Sequence, residues 1–570
     1  MANFYTDNPE IESILLSNDL KRITDIRENG YAEADQYPYA PRDAEDAIDN
    51  YKRVLELAGE ITGDFVAPRA EDVDREGNTL EDGDVRLHPH ICESIEQFRK
   101  AGLMGVNIPR KYGGLFMPNI VKTAFIEMVA RADASLMNIV GLQDIAETIN
   151  EFAPETIKNK YLPPMCSGEH TGAMVLTEPD AGSDLQRVML RATPPQDGSD
   201  DGVWCLSGVK RFITNGCADT LLVLARSEEG TTDGRGLSMF VASKGEGIRI
   251  RRIEDKLGIH GSPTCEMQFD NAPARLVGKR KRGLTKYVMA LMNGARLGIA
   301  GQGLGIAEAA FREAREYAST REQFGRKIQD MPAVYDMLAT MKTTITAARV
   351  LTYKTAEAVD LYKAMEMFPD QYARKEVKTL ERVASVLTPF AKYYATEICN
   401  TVAYDAISVL GGSGFMRDYP SERHMRDARI TNIYEGTSQL QVIGALGGVL
   451  AGHLTPHFDA FFSAKRSAET KPLVQGVSEG FEKLGESIAI FREQKNQDFT
   501  DYYARRLVDI ALELYTATLL IDLGETSPAM CNTAAHFCEK MMLNVNVNAK
   551  AIARKSMFVI DNHTDLISSN

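Results

Sequence analysis

The sequence predicts an α+β protein in which helical regions flank a single block of strands. Apolar residues recur at three- and four-residue spacing from about residue 44 to 168 and again from residue 284 onward, as on the buried face of a helix. Between these regions, from about residue 171 to 278, short apolar runs alternate with Gly, Asn and Asp, as in strands joined by turns. Length supports more than one domain, because 570 residues exceed the roughly 250–300 that one core accommodates.

Each region has its own texture. An N-terminal helical domain (residues 1–170) contains periodic stretches at 47–58, 91–101 and 121–132, divided by turn formers such as Arg110-Lys111-Tyr112-Gly113-Gly114. A middle antiparallel β domain (171–283) holds strand-like runs at 204–206, 212–214, 221–225, 237–242 and 248–253. A C-terminal bundle (284–453) follows, with four long helical stretches at 289–318, 334–361, 374–411 and 425–451 joined up and down. Beyond Pro456 and Pro472, stretches at 474–491, 501–523 and 529–560 form an extra helical appendage (454–570).

Composition excludes several functions. The formal net charge of −14 disfavours a general nucleic-acid binder, which needs a basic face. No apolar run reaches the roughly 20 residues of a membrane span. The first 20 residues carry acidic and polar residues throughout and lack a basic stretch followed by an apolar core, unlike a secretory or transit peptide. Eight scattered cysteines without a CxxC pair read as free thiols in a reducing cytoplasm, with no metal site.

Three segments carry the chemistry. Leu176-Thr177-Glu178-Pro179-Asp180-Ala181-Gly182-Ser183-Asp184 and Arg211-Phe212-Ile213-Thr214-Asn215-Gly216 lie at strand borders, where loops offer hydroxyls and backbone N–H groups to a ligand. Ile433-Tyr434-Glu435-Gly436-Thr437-Ser438-Gln439 places a Glu-Gly step between helical stretches. With a Thr-Arg-x-Gln-Phe-Gly segment at 320–325, these motifs in this order resemble the acyl-CoA dehydrogenase family, over roughly residues 44–453.

The resemblance implies roles for individual residues. Glu435 matches the base that removes the α-proton of the acyl thioester while the β-hydrogen leaves as hydride to the N5 atom of FAD. Some members place the base just before an arginine matching Arg296; here that position is Ala295, which leaves Glu435. Thr177 and Thr214 match hydroxyls near the isoalloxazine ring, Ser183 a residue at the pyrophosphate, and Phe212 an aromatic lying against the flavin. Arg321, Gln323 and Phe324 match a segment reaching the FAD of a neighbouring subunit, and an arginine suits pyrophosphate. Gly411 and Gly412 match a second subunit-crossing loop, although Ser408 stands where many relatives have Gln. Thr437 and Gln439 complete the cofactor surroundings. The implied assembly is a homodimer or a dimer of dimers.

On the substrate side, the resemblance places Asn293, Arg296, Gly436 and Met137 at the acyl-CoA. Met137 stands where dicarboxylate-specific relatives carry arginine, which suits an uncharged acyl tail. His260 reads as a loop residue near the cofactor. The glycines at 298, 301, 303 and 305 read as small residues for close helix packing, because they follow no strand. The basic run Lys279-Arg280-Lys281-Arg282 is either a solvated linker or a contact for CoA phosphates or an acidic redox partner. The segment 256–265 and the appendage resemble a longer bacterial branch that includes 3-methylmercaptopropionyl-CoA and fatty acyl-CoA dehydrogenases; the appendage is read as dimer-stabilising. The implied activity is fatty acyl β-oxidation with electrons passed to an electron-transfer flavoprotein. An acyl-CoA oxidase and a catalytically silent flavoprotein remain the alternatives.

Overall fold

The structure, a computed structural model, describes residues 2–568. In the N-terminal region the helices Pro9–Leu16, Leu20–Arg27, Ala44–Glu60 and Pro89–Lys100 gather around α1 (Asn119–Ala132), where every residue but Arg131 is buried. Asp133 ends α1 in an extended conformation and caps α2 (Ala134–Gly141), accepting from the Ser135 and Leu136 amides. Such a cap is worth about 1 kcal/mol.

The middle region is one seven-stranded sheet, β1 (Gly172–Val175), β2 (Arg191–Thr193), β3 (Trp204–Thr214), β4 (Thr220–Arg226), β5 (Leu237–Ser243), β6 (Ile248–Ile253) and β7 (Thr264–Val277). The strands run in the order β1-β4-β2-β3-β7-β5, with β5 also pairing β4 and β6 lying on β7. It is antiparallel except at β1 and β2, which meet β4 in parallel. The runs at 204–206 and 212–214 prove to be one strand. Its ladder to β7 slips between Lys210 and Ile213, and this bulge turns Phe212 outward at φ +60°.

The bundle consists of α3 (Met289–Thr320), α4 (Pro332–Glu366), α5 (Arg374–Leu410), α6 (Ser421–Thr431) and α7 (Ser438–Leu450). Residues 425–451 are therefore not one helix. The chain leaves α6 at Asn432, turns through Glu435 (φ +54°) and Gly436 (φ +89°), and restarts where the Thr437 hydroxyl caps α7 by accepting from Leu440. The glycine stripe of α3 does permit close packing, for a Cβ on Gly303 would lie 2.9 Å from the Ala395 carbonyl of α5.

The appendage holds α8 (Lys471–Glu493), α9 (Gln497–Gly524), α10 (Pro528–Ala553) and α11 (Phe558–Ile567). The expected single helix over 529–560 breaks at a turn where Lys555 adopts φ +50°. Helix α9 packs against α7 and α4, and one continuous apolar core runs from the N-terminal helices through the bundle into the appendage. Among the described residues no helix is long and apolar enough to cross a membrane.

Candidate active site

Glu435 occupies a turn that only surrounding contacts can hold, because a left-handed backbone at a non-glycine residue costs about 1–3 kcal/mol. Gln441 Nε2 donates to the Gly436 carbonyl at 2.8 Å and to that of Glu435 at 3.3 Å, and Lys392 Nζ, from α5, donates to the Gly436 carbonyl at 2.8 Å. Glu397 of α5 receives the Ser438 hydroxyl and, at 3.2 Å, Asn432 Nδ2, the two ends of the same turn. Arg505 of α9 pairs with the other Glu397 oxygen at 3.2 Å.

The half-buried carboxyl of Glu435 lines a narrow pocket with Thr214, Met137 and Tyr434. The remaining walls are chiefly apolar: Ile126, Leu142, Met174, Leu291 and Ile299, with the gaps at Gly141 and Gly298 filled by Met137. The Met137 methyl stands 3.1 Å from where a Cβ on Gly141 would lie. Removal from water pushes the Glu435 pKa up to about 7, against the pull of Lys392 and Arg296. A carboxyl tuned to neutrality inside an apolar pocket is fitted to take a proton at physiological pH. Arg296 is half-buried, its Nη1 donating to Asn293 Oδ1 at 3.2 Å. Tyr434 closes the pocket floor, its hydroxyl against Gln302 and Asn138.

Around the sheet edge, Thr177 donates to the Arg211 carbonyl at 2.5 Å, joining the two strand-border loops. Beneath them Lys210 is fully buried and pairs with Glu178 at 2.9 Å, while Glu178 accepts the Met189 and Leu190 amides. Ser183 and Gln439 are exposed, and Phe212 remains 54% exposed despite its aromatic ring.

Arg321, Gln323, Phe324, Gly411 and Gly412 are not brought to this pocket. They lie together at the far end of the bundle, where Tyr317 approaches Ser413 at 3.3 Å. Arg321 stands 25 residues beyond Arg296 on a helical path, about 37 Å at 1.5 Å per residue. All five are exposed, Phe324 by 93% at φ +53°, and nothing lies within 4 Å of a Cβ on either glycine. Glu435, Phe212 and Phe324 are all left-handed non-glycine residues, a form of strain that concentrates at functional sites.

His260 is a loop residue, as expected, but it is tied down: it pairs with Asp74 at 3.0 Å, and Nε2 meets the Lys256 carbonyl at 2.8 Å. The hydrogen bond to Asp74 raises its pKa to about 9. Of the basic run, Arg280 is spent on Glu228 at 2.9 Å and on the face of Trp204. All eight cysteines are free, and no acid, His or Cys cluster suited to a metal occurs among the described residues.

Sequence reasoning passed over Lys392, Glu397, Gln441 and Lys210. The signal for Lys392 is a lone lysine in the otherwise uncharged run Val386-Leu387-Thr388-Pro389-Phe390-Ala391-Lys392-Tyr393-Tyr394.

Family models for the acyl-CoA dehydrogenase N-terminal, middle and C-terminal domains match residues 49–169, 173–272 and 282–445, and one for a further acyl-CoA dehydrogenase C-terminal segment matches 451–560. The chain belongs to the acyl-CoA dehydrogenase family. It is 35% identical to the 3-methylmercaptopropionyl-CoA dehydrogenase of Ruegeria pomeroyi over 70% of each chain. The butyryl-CoA dehydrogenase structure of Megasphaera elsdenii covers 70% of this chain and 98% of its own, at 31% identity and TM-score 0.61. A structure described as the electron transferring flavoprotein of Acidaminococcus fermentans covers 69% of this chain and 96% of its own, at 33% identity and TM-score 0.60. As a member, the protein is a flavin-dependent oxidoreductase of the acyl-CoA dehydrogenase type.

Proposed function

We propose that the protein converts an acyl-CoA thioester to the trans-2-enoyl-CoA with FAD, and passes the electrons to an electron-transfer flavoprotein. The observation that carries this reading is Glu435, a carboxyl shifted to about pH 7 in an apolar pocket between the Lys392 and Arg296 cations. Its carboxylate takes the α-proton, and its backbone N–H and the surrounding cations favour negative charge developing on the thioester oxygen. Arg296, Asn293 and Gly436 line the approach of the thioester arm.

The donor set fits FAD in two halves. Thr214, in the pocket wall, with Thr177, Ser183, Phe212, Thr437 and Gln439, would offer hydroxyls, an amide and an exposed aromatic face to it. Arg321, Gln323, Phe324, Gly411 and Gly412 offer a guanidinium without an ion pair among the described residues, and backbone open to close approach. Because one chain holds these halves apart, the second is supplied by another copy, in a homodimer or a dimer of dimers. Bound FAD supplies the two-electron acceptor for the β-hydrogen. Phe212→Ala removes the aromatic face and is expected to raise the FAD dissociation constant about 2- to 13-fold, for a stacking contribution of about 0.5–1.5 kcal/mol. Flavin fluorescence on dilution measures this.

The pocket favours a short, uncharged acyl tail. Among the described residues no lysine or arginine lines it, and Asp144 in its wall pairs with Lys122 at 2.8 Å. The relative acting on a thioether acyl group supports the same class. Met137→Ala is expected to move the optimum toward longer tails, since each added methylene gains about 0.8 kcal/mol, roughly fourfold in kcat/KM. A chain-length series of kcat/KM checks this; an unmoved optimum would place the tail elsewhere.

The deciding experiment is anaerobic visible spectroscopy against a panel of thioesters, short to long, with aromatic, alicyclic, methylthio and dicarboxylic members. Bleaching by one class establishes reaction and substrate. Oxygen consumption on thioester addition would redirect the reading to an oxidase. A flavoprotein that no thioester bleaches would redirect it to a binding protein.

A further inference from the structure

Helix α5 carries one buried cation directly beneath the Glu435 turn. Lys392 is fully buried, and its Nζ has a single neutral acceptor, the Gly436 carbonyl at 2.8 Å. No carboxylate lies within ion-pair distance of it among the described residues. The charged groups that face it are Glu435 from the turn, Arg296 from α3 and Glu397 five residues along its own helix. Glu397 is already engaged by Ser438, Asn432 and Arg505, and Arg296 is itself a cation. Glu435 is therefore the carboxyl left to answer the ammonium.

A buried ammonium held by one carbonyl is costly, and an apolar side chain would fill the same space without that cost. What the ammonium does supply is leverage on the turn. It grips the carbonyl of Gly436, immediately after the left-handed Glu435 and opposite the donor from Gln441. The peptide plane between residues 436 and 437 is thereby fixed from two sides.

Resting on the reading of Glu435 as the base, we propose that Lys392 is its positioning residue: the ammonium fixes the turn that presents the carboxyl, and its charge favours the carboxylate form. The shifts of the two groups agree with this. Burial pushes the Lys392 pKa down to about 7 and that of Glu435 up to about 7, and each charge opposes the other's shift.

The test pairs Lys392→Met with Lys392→Arg in the flavin-loaded enzyme, with whichever thioester bleaches the wild type. Lys392→Met should lower kcat about tenfold or more through misplacement of the base. It should also move the acid limb of the kcat/KM profile up by about one pH unit, with KM changed by less than about threefold. Lys392→Arg keeps the charge and should keep the limb. An unmoved limb in the Met variant, or the same displaced limb in both variants, overturns the proposal. Should the variants fail to fold, lysine 13Cε NMR on the wild type and Glu435→Gln decides. The Lys392 signal should titrate at lower pH once the carboxylate is gone, and identical titrations overturn the proposal. That measurement uses no substrate, so its outcome is separate from whether any thioester is oxidised.

Discussion

Glu435→Gln is expected to reduce thioester-dependent flavin bleaching by about 10²- to 10⁴-fold, the scale contributed by a positioned base. Glutamine matches glutamate in shape and bears the same left-handed backbone, and its amide leaves the donors from Lys392 and Gln441 untouched. Flavin content should therefore stay near wild type. The pH profile gives a second reading. Burial raises the carboxyl to about pH 7, and Lys392 and Arg296 limit the rise. The base works only when ionised, so wild-type kcat/KM should fall tenfold per unit as pH drops below about 7. A variant retaining a tenth or more of the wild-type rate would remove Glu435 from the chemistry.

Arg349→Met should have the largest effect on stability. Arg349 of α4 is fully buried and pairs with Glu127 of α1 at 2.7 Å, Glu308 of α3 at 2.8 Å and Glu10 of the first helix at 2.6 Å. Tyr353 adds a hydrogen bond to Glu127 at 2.9 Å. Removing this guanidinium takes the cation from the centre of three carboxylates. It leaves Glu308 to Arg312 at 2.7 Å, Glu10 to Lys342 at 2.7 Å, and Glu127 without a cation among the described residues. Breaking such a buried group costs about 3–5 kcal/mol. Tm should fall by about 10 °C if the unit that melts is about 200 residues long. Burial alone would raise the Glu308 carboxyl, but Arg349, with Lys342 and Arg312, holds it well below the ordinary 4.5. A carboxyl depressed in the folded state stabilises above its unfolded pKa, and that contribution is lost as pH falls through the folded value. Above about pH 5 the wild-type advantage over the variant should thus be full, and acid should erode it. Calorimetry at pH 7 and pH 4 checks both the size and the sign.

How far the sequence led depended on whether an element declares itself locally. The helices α3, α4 and α5 are long enough for periodicity to settle them within a few residues. Strands β1 and β2, of four and three residues, are too short to show a period, and their parallel pairing with β4 depends on distant chain. The break between α6 and α7 was hidden because apolar spacing continues across it. Only the φ values of Glu435 and Gly436 reveal that the helix stops to present a carboxyl. At the site, Glu435 and Thr214 were legible in motifs and Met137 only by position, and the three share a pocket. Lys392 and Glu397 were not, because their partners lie 44 and 41 residues away and no local pattern records such a pairing.

The packing of α9 on α7, with Arg505 reaching Glu397, bears on how the centre comes into being during synthesis. Helix α9 begins at Gln497, roughly 60 residues after Glu435. At about 5–20 residues per second, the turn carrying the carboxyl leaves the ribosome some 3–12 s before the helix that backs it. During that interval the faces of α7 and α4 that α9 covers in the finished molecule are open to solvent. Assembly of the centre is accordingly a late event, and a chain ended before residue 497 would carry the Glu435 turn without the helix behind it.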